Sequence, residues 1–280
     1  QITVDEWISP ELPANYVAVK VAYVGVCGTD LHLYAGHMDS RVTTPHVPGH
    51  EMSGVVARTG AGVSEWKIGE KVTVRPLLPC KNCRTCNEGN SHICPKLKFI
   101  GVDLGGAMQP EWIVPAELLH RIPEQITLRQ GALIEPLAVA IHDVRMADLD
   151  PTDVITIVGA GPIGLLIGIV CVSRGHKTFI TDIDQTRLDV AKSHGMIPVA
   201  PDKVEAAARE ATNGLGTDVV FEVSGSAGGA TLISTIVKPR GKIIVVGIHA
   251  ELRQFNLQQI FHKEVTMQGA RVYKSIDFDD

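Results

Sequence analysis

Hydrophobic residues follow different patterns in the two halves of this chain of 280 residues. Up to about residue 125, short β-branched runs are separated by turns rich in glycine and proline. That pattern predicts short strands arranged as a compact, partly open β-barrel. Strands are predicted at 17–26, 55–59, 71–74 and 111–114, and a helix at 137–146.

In the second half, which follows a polar turn at 148–153, strand-length apolar runs alternate with helix-length segments. Such alternation predicts a parallel, doubly wound α/β sheet. We therefore expect two domains, at residues 1–150 and 151–275, with a short segment 276–280 after them. Strands are predicted at 154–158, 178–181, 197–199, 218–223, 242–246 and 265–271, and helices at 165–173, 187–194, 204–212, 230–237 and 257–264.

The first strand of the second half leads directly into a glycine-rich turn, and the next strand ends at Asp182. Strand, glycine turn, helix, strand and acid is the order of a dinucleotide-binding βαβ unit. Gly159 would allow the tight turn, Gly161 the close approach of a pyrophosphate, and Gly164 the packing of the helix on the strand. Asp182 would bind the ribose hydroxyls. The full turn is Gly159, Ala160, Gly161, Pro162, Ile163 and Gly164.

Composition and charge narrow the classes of function. The chain has a formal net charge of −5, with 45% hydrophobic and 20% charged residues. These values are ordinary for a globular protein and give no electrostatic footprint for nucleic acid or anionic lipid. Asp5 and Glu6 stand where a signal peptide would be basic, so we expect a cytoplasmic protein. The uncharged run 154–172 is long enough for a membrane span, but its glycines and proline argue against one continuous helix.

Four of the six cysteines lie close together, with the spacing C-x2-C-x2-C-x7-C. In a chain without an export signal, clustered cysteines suggest metal binding before disulfides. Four thiolates can close a tetrahedral shell around zinc with no open position, which is a structural arrangement. The alternative is a chance cluster of free or oxidised thiols. The four residues are Cys80, Cys83, Cys86 and Cys94.

Three more segments carry ligand-type residues: Cys-Gly-Thr-Asp at 27–30, Gly-His-Glu at 49–51 and Glu-Pro at 135–136. Each segment alone is unremarkable. Together with the cysteine lobe at 80–94 and the glycine turn, in this order, they resemble the zinc-dependent medium-chain dehydrogenases, the group of alcohol, polyol and threonine dehydrogenases. The resemblance runs almost from end to end, and it implies a GroES-like β-barrel catalytic domain joined to a Rossmann domain.

The resemblance implies a catalytic zinc ion held by Cys27, His50 and Glu135, with an open fourth position. Three mixed ligands plus water or substrate is indeed a catalytic arrangement. Glu51 would be the second acid beside the metal, either outside the ligand shell or as an exchanging ligand. Asp30 would accept a hydrogen bond from the far nitrogen of His50 and thereby fix its tautomer.

The resemblance also implies a proton path and substrate contacts. Zinc would lower the pKa of a substrate hydroxyl, and the Thr29 hydroxyl would take the proton and pass it through the ribose to His32. Arg271 and Tyr273 fall near the positions where polyol dehydrogenases contact substrate hydroxyls. We expect NAD rather than NADP, because Asp182 would repel a 2′-phosphate.

Arg187 flanks the adenosine in the polyol branch of this group, although it could equally be a solvated helix residue. Glu135 followed by Pro-Leu-Ala is similar to the polyol and butanediol branch. The expected activity is therefore NAD-dependent oxidation of a small-molecule secondary alcohol, a polyol or sugar alcohol. Oxidation of threonine or 2,3-butanediol is the alternative, and a cofactor-binding structural or regulatory protein without turnover is the alternative from another class. The zinc-free quinone reductases share the fold but lack the ligand set.

The resemblance carries two further expectations. The last predicted strand, 265–271, would lie at the edge of the Rossmann sheet, where this group joins subunits into homodimers or homotetramers. The segment that normally returns to complete the catalytic domain is expected to be absent, because the sequence stops at Asp280, and the first strand of the family is expected to be clipped before Gln1.

Overall fold

A computed structural model of the chain describes residues 2–279, which form two compact units, one up to Pro136 and one from Leu137. The domain boundary expected at residue 150 lies within the second of these units and stays a prediction. No helix among the described residues is both long enough and apolar enough to cross a lipid bilayer.

The first unit is built on a five-stranded antiparallel sheet with the strand order β6-β1-β2-β3-β7. Its core contains Val17, Val19, Met52 and Trp112, all of them buried. The strands are β1 (Tyr16–Gly25), β2 (Glu51–Thr59), β3 (Lys71–Val74), β4 (Leu77–Leu78), β5 (Lys98–Phe99), β6 (Glu111–Pro115) and β7 (Leu119–Arg121), and the helices are α1 (Gly28–Tyr34), α2 (Arg84–Asn87), α3 (Leu128–Gly131) and α4 (Ile134–Ala147), the last of which continues into the second unit.

The strands predicted in this half are confirmed, and β2 is longer than expected because it begins at Glu51. The sequence patterns did not predict α1, α2, α3, β4, β5 or β7. Each of these elements has seven residues or fewer. An amphipathic period needs more residues than that to stand out from a loop.

The second unit contains a six-stranded sheet with the order β10-β9-β8-β11-β12-β13, in which every neighbouring pair is parallel. This is the doubly wound order of a dinucleotide-binding fold, and it confirms the predicted sheet. The strands are β8 (Val154–Val158), β9 (Lys177–Thr181), β10 (Ile197–Pro198), β11 (Thr217–Glu222), β12 (Val237–Val245) and β13 (Thr266–Gly269), and the helices are α5 (Pro162–Ser173), α6 (Gln185–Ser193), α7 (Val204–Ala211), α8 (Ala227–Ile236), α9 (Leu257–Lys263) and α10 (Ser275–Asp279).

Alternate residues of the parallel strands enter different hydrophobic clusters, because successive side chains of a strand point to opposite faces. In β11, Val219 and Phe221 join the cluster that contains Ile167 of α5, whereas Val220 joins the cluster that contains Ile233 of α8. The sheet is therefore covered on both faces, as a parallel sheet requires.

The glycine turn between β8 and α5 has the geometry expected of each glycine. Gly159 has a φ of 110°, a conformation that favours glycine. A Cβ atom at Gly161 would meet nothing within 4 Å, so the turn is open at that point. A Cβ atom at Gly164 would lie 1.9 Å from the carbonyl oxygen of Gly159, so the helix lies directly on the turn.

We expect Gly164→Ala to lower the free energy of unfolding by about 1–3 kcal/mol, because the added methyl group forces the backbone of α5 away from the turn. Thermal unfolding followed by circular dichroism measures the loss. Gly228→Ala is the matched control, since a Cβ atom at that position of α8 meets nothing within 4 Å. That variant should be neutral or more stable by up to about 1 kcal/mol. Equal Tm values for the two variants would contradict the close contact.

Candidate metal centres and cofactor site

The pairing of β1 with β2 builds the first candidate metal centre. Its register sets Gly25, the last residue of β1, opposite Glu51, the first residue of β2. Cys27 follows β1 closely, and His50 immediately precedes β2. Ligand atoms of Cys27, His50 and Glu51 consequently lie within 4.8 Å of one another. A Cβ atom at Gly25 would lie 2.3 Å from Oε2 of Glu51, so a larger residue there would displace this carboxylate.

Burial disfavours the charged forms of Cys27 and Glu51 and the protonated form of His50. Desolvation raises the pKa of the Cys27 thiol to about 12, although hydrogen bonds from Thr29 oppose that rise. Desolvation also raises the pKa of Glu51 and lowers the pKa of His50. Metal binding needs the thiolate, the neutral imidazole and the carboxylate, and a cation stabilises both anions. A sulfur, a nitrogen and an oxygen donor held this closely fit a zinc ion.

Asp30 is buried and joins the two segments that carry these ligands. Its carboxylate accepts the N–H of Cys27 at 2.8 Å and the N–H of Gly49 at 3.2 Å. Nδ1 of His50 lies 3.9 Å from Oδ1 of Asp30, which is longer than a hydrogen bond, so the hydrogen bond predicted between them stays a prediction. The carboxylate is directed at the two backbone amides, so it holds the ligand segments together.

Glu135 lies in the first turn of α4 and is only 3% exposed. Its charge contributes to the raised pKa of Cys27, which places it near the thiol. It is not, however, one of the three side chains whose ligand atoms lie within 4.8 Å of one another. Glu51 takes the third place in that set, and both carboxylates remain candidate ligands.

The two residues of the predicted proton relay have different surroundings. Burial raises the pKa of the Cys27 thiol and Thr29 opposes that rise, so Thr29 lies close to the ligand set. His32, farther along α1, is exposed, and its Nδ1 lies 3.1 Å from Nδ1 of His37. The relay stays a prediction at both positions.

The four lobe cysteines form the second candidate metal centre. Four of their Sγ–Sγ distances are 4.0 Å for Cys80–Cys86, 3.5 Å for Cys83–Cys86, 3.8 Å for Cys83–Cys94 and 3.5 Å for Cys94–Cys80. A disulfide needs about 2 Å between the sulfurs. Four thiolates around zinc, each with a Zn–S bond of about 2.3 Å, stand about 3.8 Å apart. The lobe therefore fits a structural zinc ion.

Phe99 packs against the candidate ligand His50, a contact that the sequence patterns did not predict. It belongs to β5, which pairs with β4 and closes the base of the cysteine lobe. Its ring centroid lies 4.8 Å from that of His50, and its N–H donates to Asp103 at 2.7 Å. Asp103 is held in turn by two hydrogen bonds from Arg41. The sequence offers one signal for it, the place of Phe99 shortly after Cys94, because a strand of two residues is too short to show a period.

In the second unit, Asp182 follows β9 and lies beside the glycine turn. Its carboxylate accepts the N–H of Ala160 at 2.7 Å and the N–H of Asp184 at 2.9 Å. Nη1 of Arg187 lies 3.7 Å from Oδ2 of Asp182.

Pro162 is the first residue of α5, and Ile163 packs against the core. The amide end of α5 and the open side of Gly161 form a cradle that fits a pyrophosphate.

The two substrate-contact candidates have opposite exposure. Arg271 is exposed, whereas Tyr273 is fully buried with its ring centroid 5.2 Å from that of Phe278. Burial of the whole side chain makes Tyr273 a packing residue in this structure, which does not support its predicted contact with substrate. The contact predicted for Arg271 stays a prediction.

Two known protein families match this chain, one within each of the two units. The chain matches the alcohol dehydrogenase GroES-like domain over residues 13–124 and the zinc-binding dehydrogenase family over residues 162–280. It is 45% identical over 274 residues to 2-dehydro-3-deoxy-L-galactonate 5-dehydrogenase of Pseudoalteromonas atlantica, a match that covers 97% of this chain and 80% of that protein.

Two further comparisons extend the match. The chain is 34% identical over 283 residues to sorbitol dehydrogenase of Halalkalibacterium halodurans, covering 99% of this chain and 82% of that protein. A crystal structure from Escherichia coli, described as a short chain alcohol dehydrogenase complexed with NADH, superposes with a TM-score of 0.90 at 28% identity and covers 100% of this chain and 83% of that one.

A GroES-like unit with metal ligands and a Rossmann-type sheet define a zinc-dependent oxidoreductase. The chain belongs to the zinc-dependent medium-chain polyol dehydrogenase family. The predicted fold class and the predicted enzyme class are thereby confirmed.

We expect the four lobe cysteines to resist alkylation in the metal-loaded protein and to become reactive together after chelation, because bound thiolates are protected by the metal. Alkylation mapped by peptide mass spectrometry measures this. Cys171 is the control thiol, since it is buried in α5 and desolvation raises its pKa to about 12. It should stay unlabelled throughout. Labelling of the lobe in the metal-loaded protein would argue against a zinc site there.

Proposed function

We propose that the chain oxidises a secondary hydroxyl group of a polyol or sugar alcohol, with NAD as the hydride acceptor. The observation that carries the proposal is the convergence of Cys27, His50 and Glu51 within 4.8 Å in a chain that also has the glycine turn and Asp182. The relative named sorbitol dehydrogenase supports the substrate class. A polyhydroxy acid is the second candidate, because the relative at 45% identity is named for a galactonate derivative.

The roles of the residues follow from their places in the first unit. Cys27 and His50 would hold a zinc ion, with Glu51, Glu135 or both as the acidic ligand. Asp30 supports the set through the amides of Cys27 and Gly49. Bound there, zinc would supply Lewis acidity to a substrate hydroxyl, and NAD would supply the hydride acceptor.

Thr29 is proposed as the first proton acceptor. In the structure it lies close enough to the sulfur of Cys27 to oppose the rise in the thiol pKa that burial causes. As it takes the proton of the substrate hydroxyl, the Thr29 hydroxyl would give its own proton to the ribose, so that its oxygen stays neutral. His32 is proposed as the outer member of the relay, since it is exposed and can exchange a proton with water.

The chain is proposed to work as a homodimer or homotetramer joined through β13. This strand is the last of its sheet, pairs on one side with β12, and has all four residues exposed. Unpaired strand edges favour association. A cytoplasmic location is proposed because all six cysteines are free of disulfides.

We expect Asp182→Asn to shift the ratio of kcat/KM for NAD over NADP toward NADP by about 10-fold or more, because it removes the negative charge that would repel a 2′-phosphate. The amide oxygen of the variant can still accept the N–H of Ala160, while the hydrogen bond from the N–H of Asp184 is lost. Steady-state kinetics with both cofactors measures the ratio. Asp189→Asn, an exposed change on α6, is the matched control. An unchanged ratio in the Asp182 variant would contradict the proposed ribose contact.

We expect the metal-replete protein to contain two zinc ions per chain, one for each ligand set, and to reduce NAD with polyols or polyhydroxy acids. His50→Ala should lose one zinc ion and all turnover while it keeps the lobe zinc, because only the first set loses a ligand. Elemental analysis and nicotinamide absorbance with polyols, sugar acids, diols and amino alcohols measure both.

The panel separates the alternatives. Turnover confined to an amino alcohol or a short diol would favour threonine or butanediol oxidation. Binding of NADH without turnover on any alcohol, in protein with both zinc ions, would favour a cofactor-binding protein and refute the proposed activity.

A further inference from the structure

Strand β11 ends in a buried carboxylate that the proposed chemistry does not use. Glu222 is fully buried, and its side chain accepts four hydrogen bonds. Oε1 accepts the N–H of Ser224 at 3.1 Å, its hydroxyl at 2.5 Å and the N–H of Gly225 at 3.1 Å. Oε2 lies 2.8 Å from Nε2 of His249. A buried carboxylate needs such partners, because it has lost its water.

These hydrogen bonds hold two loops together, one after β11 (223–226) and one after β12 (246–249). The backbone carbonyl of Glu222 adds two more bonds, accepting the N–H of Val246 at 2.9 Å and the N–H of Gly247 at 2.8 Å. A Cβ atom at Gly247 would lie 2.5 Å from the backbone nitrogen of Gly225 and 2.7 Å from Oε2 of Glu222. The loops are in direct contact, and Glu222 lies between them.

The loop after β11 also lies against the glycine turn. A Cβ atom at Gly159 would be 2.9 Å from the backbone nitrogen of Ser224, and Val223 donates its N–H to Val158 at 2.9 Å. The sheet order places β11 next to β8, where the strand order reverses. In doubly wound sheets the ligand binds at the carboxyl ends of the strands at this point. Glu222 and His249 therefore support the rim of the expected dinucleotide site.

The two halves of such a sheet bind the two halves of a dinucleotide. The half formed by β8, β9 and β10 contains the glycine turn and Asp182, so it is the adenosine half. The loops that Glu222 joins follow β11 and β12, in the other half. Their backbone is consequently expected beside the nicotinamide end of the cofactor.

We propose that Glu222 and His249 form a positioning pair for the nicotinamide half of the cofactor, a role that rests on the NAD-dependent function proposed above. The pair fixes the backbone of both loops and does not touch the reacting atoms. With Nε2 of His249 as the donor and Oε2 of Glu222 as the acceptor, the contact of 2.8 Å between them is a hydrogen bond. Ser224 extends the network, because its hydroxyl lies 2.9 Å from that of Ser226, which caps α8.

The test compares a whole dinucleotide with its adenosine half. In Glu222→Ala and His249→Ala we expect the Kd for NADH to rise by about 10-fold or more, since the first change removes four side-chain hydrogen bonds and the second leaves Oε2 of buried Glu222 without its partner. The Kd for ADP should stay within about 2-fold of the wild-type value, because the adenosine half is unchanged. Isothermal titration calorimetry on the metal-replete protein measures both, and Tm values report any general loss of stability.

Glu222→Gln keeps the shape of the side chain and changes its hydrogen bonds, so it distinguishes a positioning role from simple packing. It also replaces the alanine variant in the test if that variant does not fold. Its amide oxygen can accept from Ser224 and Gly225, while its amide nitrogen donates to His249 in the other tautomer. We expect an NADH affinity between those of wild type and Glu222→Ala. The matched controls are Glu251→Ala, an exposed carboxylate in the chain just after the second loop, and His262→Ala, an exposed histidine on α9. Both controls should bind like wild type.

Equal weakening of NADH and ADP, or unchanged NADH binding in Glu222→Ala and His249→Ala, would overturn the proposal. Failure of the wild-type protein to bind NADH at all is a separate result. That outcome would refute the NAD-dependent function first, and the positioning role with it.

Discussion

The antiparallel pairing of β1 with β2 is the interaction on which the rest of the catalytic unit depends. It sets Gly25 opposite Glu51 and brings Cys27 and His50 to the same end of the strand pair. Buried Val17, Val19 and Met52 anchor these strands in the core. Because side chains alternate along a strand, a slip of one residue would turn Glu51 to the opposite face. The register that buries these core side chains therefore also fixes the positions of the ligand atoms.

In both units, backbone segments approach each other so closely that only a residue without a Cβ atom fits at the contact. A Cβ atom at Gly101 would lie 2.5 Å from the carbonyl oxygen of Gly49, so the segment after the cysteine lobe presses on the residue before His50. Cβ atoms at Gly159 and Gly164 would likewise come too close to backbone atoms around the turn before α5, and a Cβ atom at Gly247 would come too close to Gly225 and Glu222. Each contact lets backbone groups, rather than side chains, shape the site, and backbone groups are held more rigidly.

Burial shifts the pKa values of the residues in the first candidate metal centre. Desolvation works against the thiolate of Cys27 and the carboxylate of Glu51, and a nearby second carboxylate at Glu135 adds to the effect on the thiol. A site that is unfavourable for its own anions gains most from a cation. The four lobe cysteines offer sulfur alone, and four thiolates would leave no open position on a zinc ion, whereas a mixed set of sulfur, nitrogen and oxygen ligands can leave one for substrate.

Local patterns in the sequence are enough to predict the parallel sheet, the glycine turn with Asp182, the cysteine lobe and the ligand-type residues, because each has a period or a spacing. What those residues contact depends on the folded chain. The tertiary structure directed Asp30 to two backbone amides, buried Tyr273, brought Phe99 against a ligand and gathered two loops around Glu222. Such contacts join residues far apart in the chain, and the register and packing that create them leave no local pattern to read.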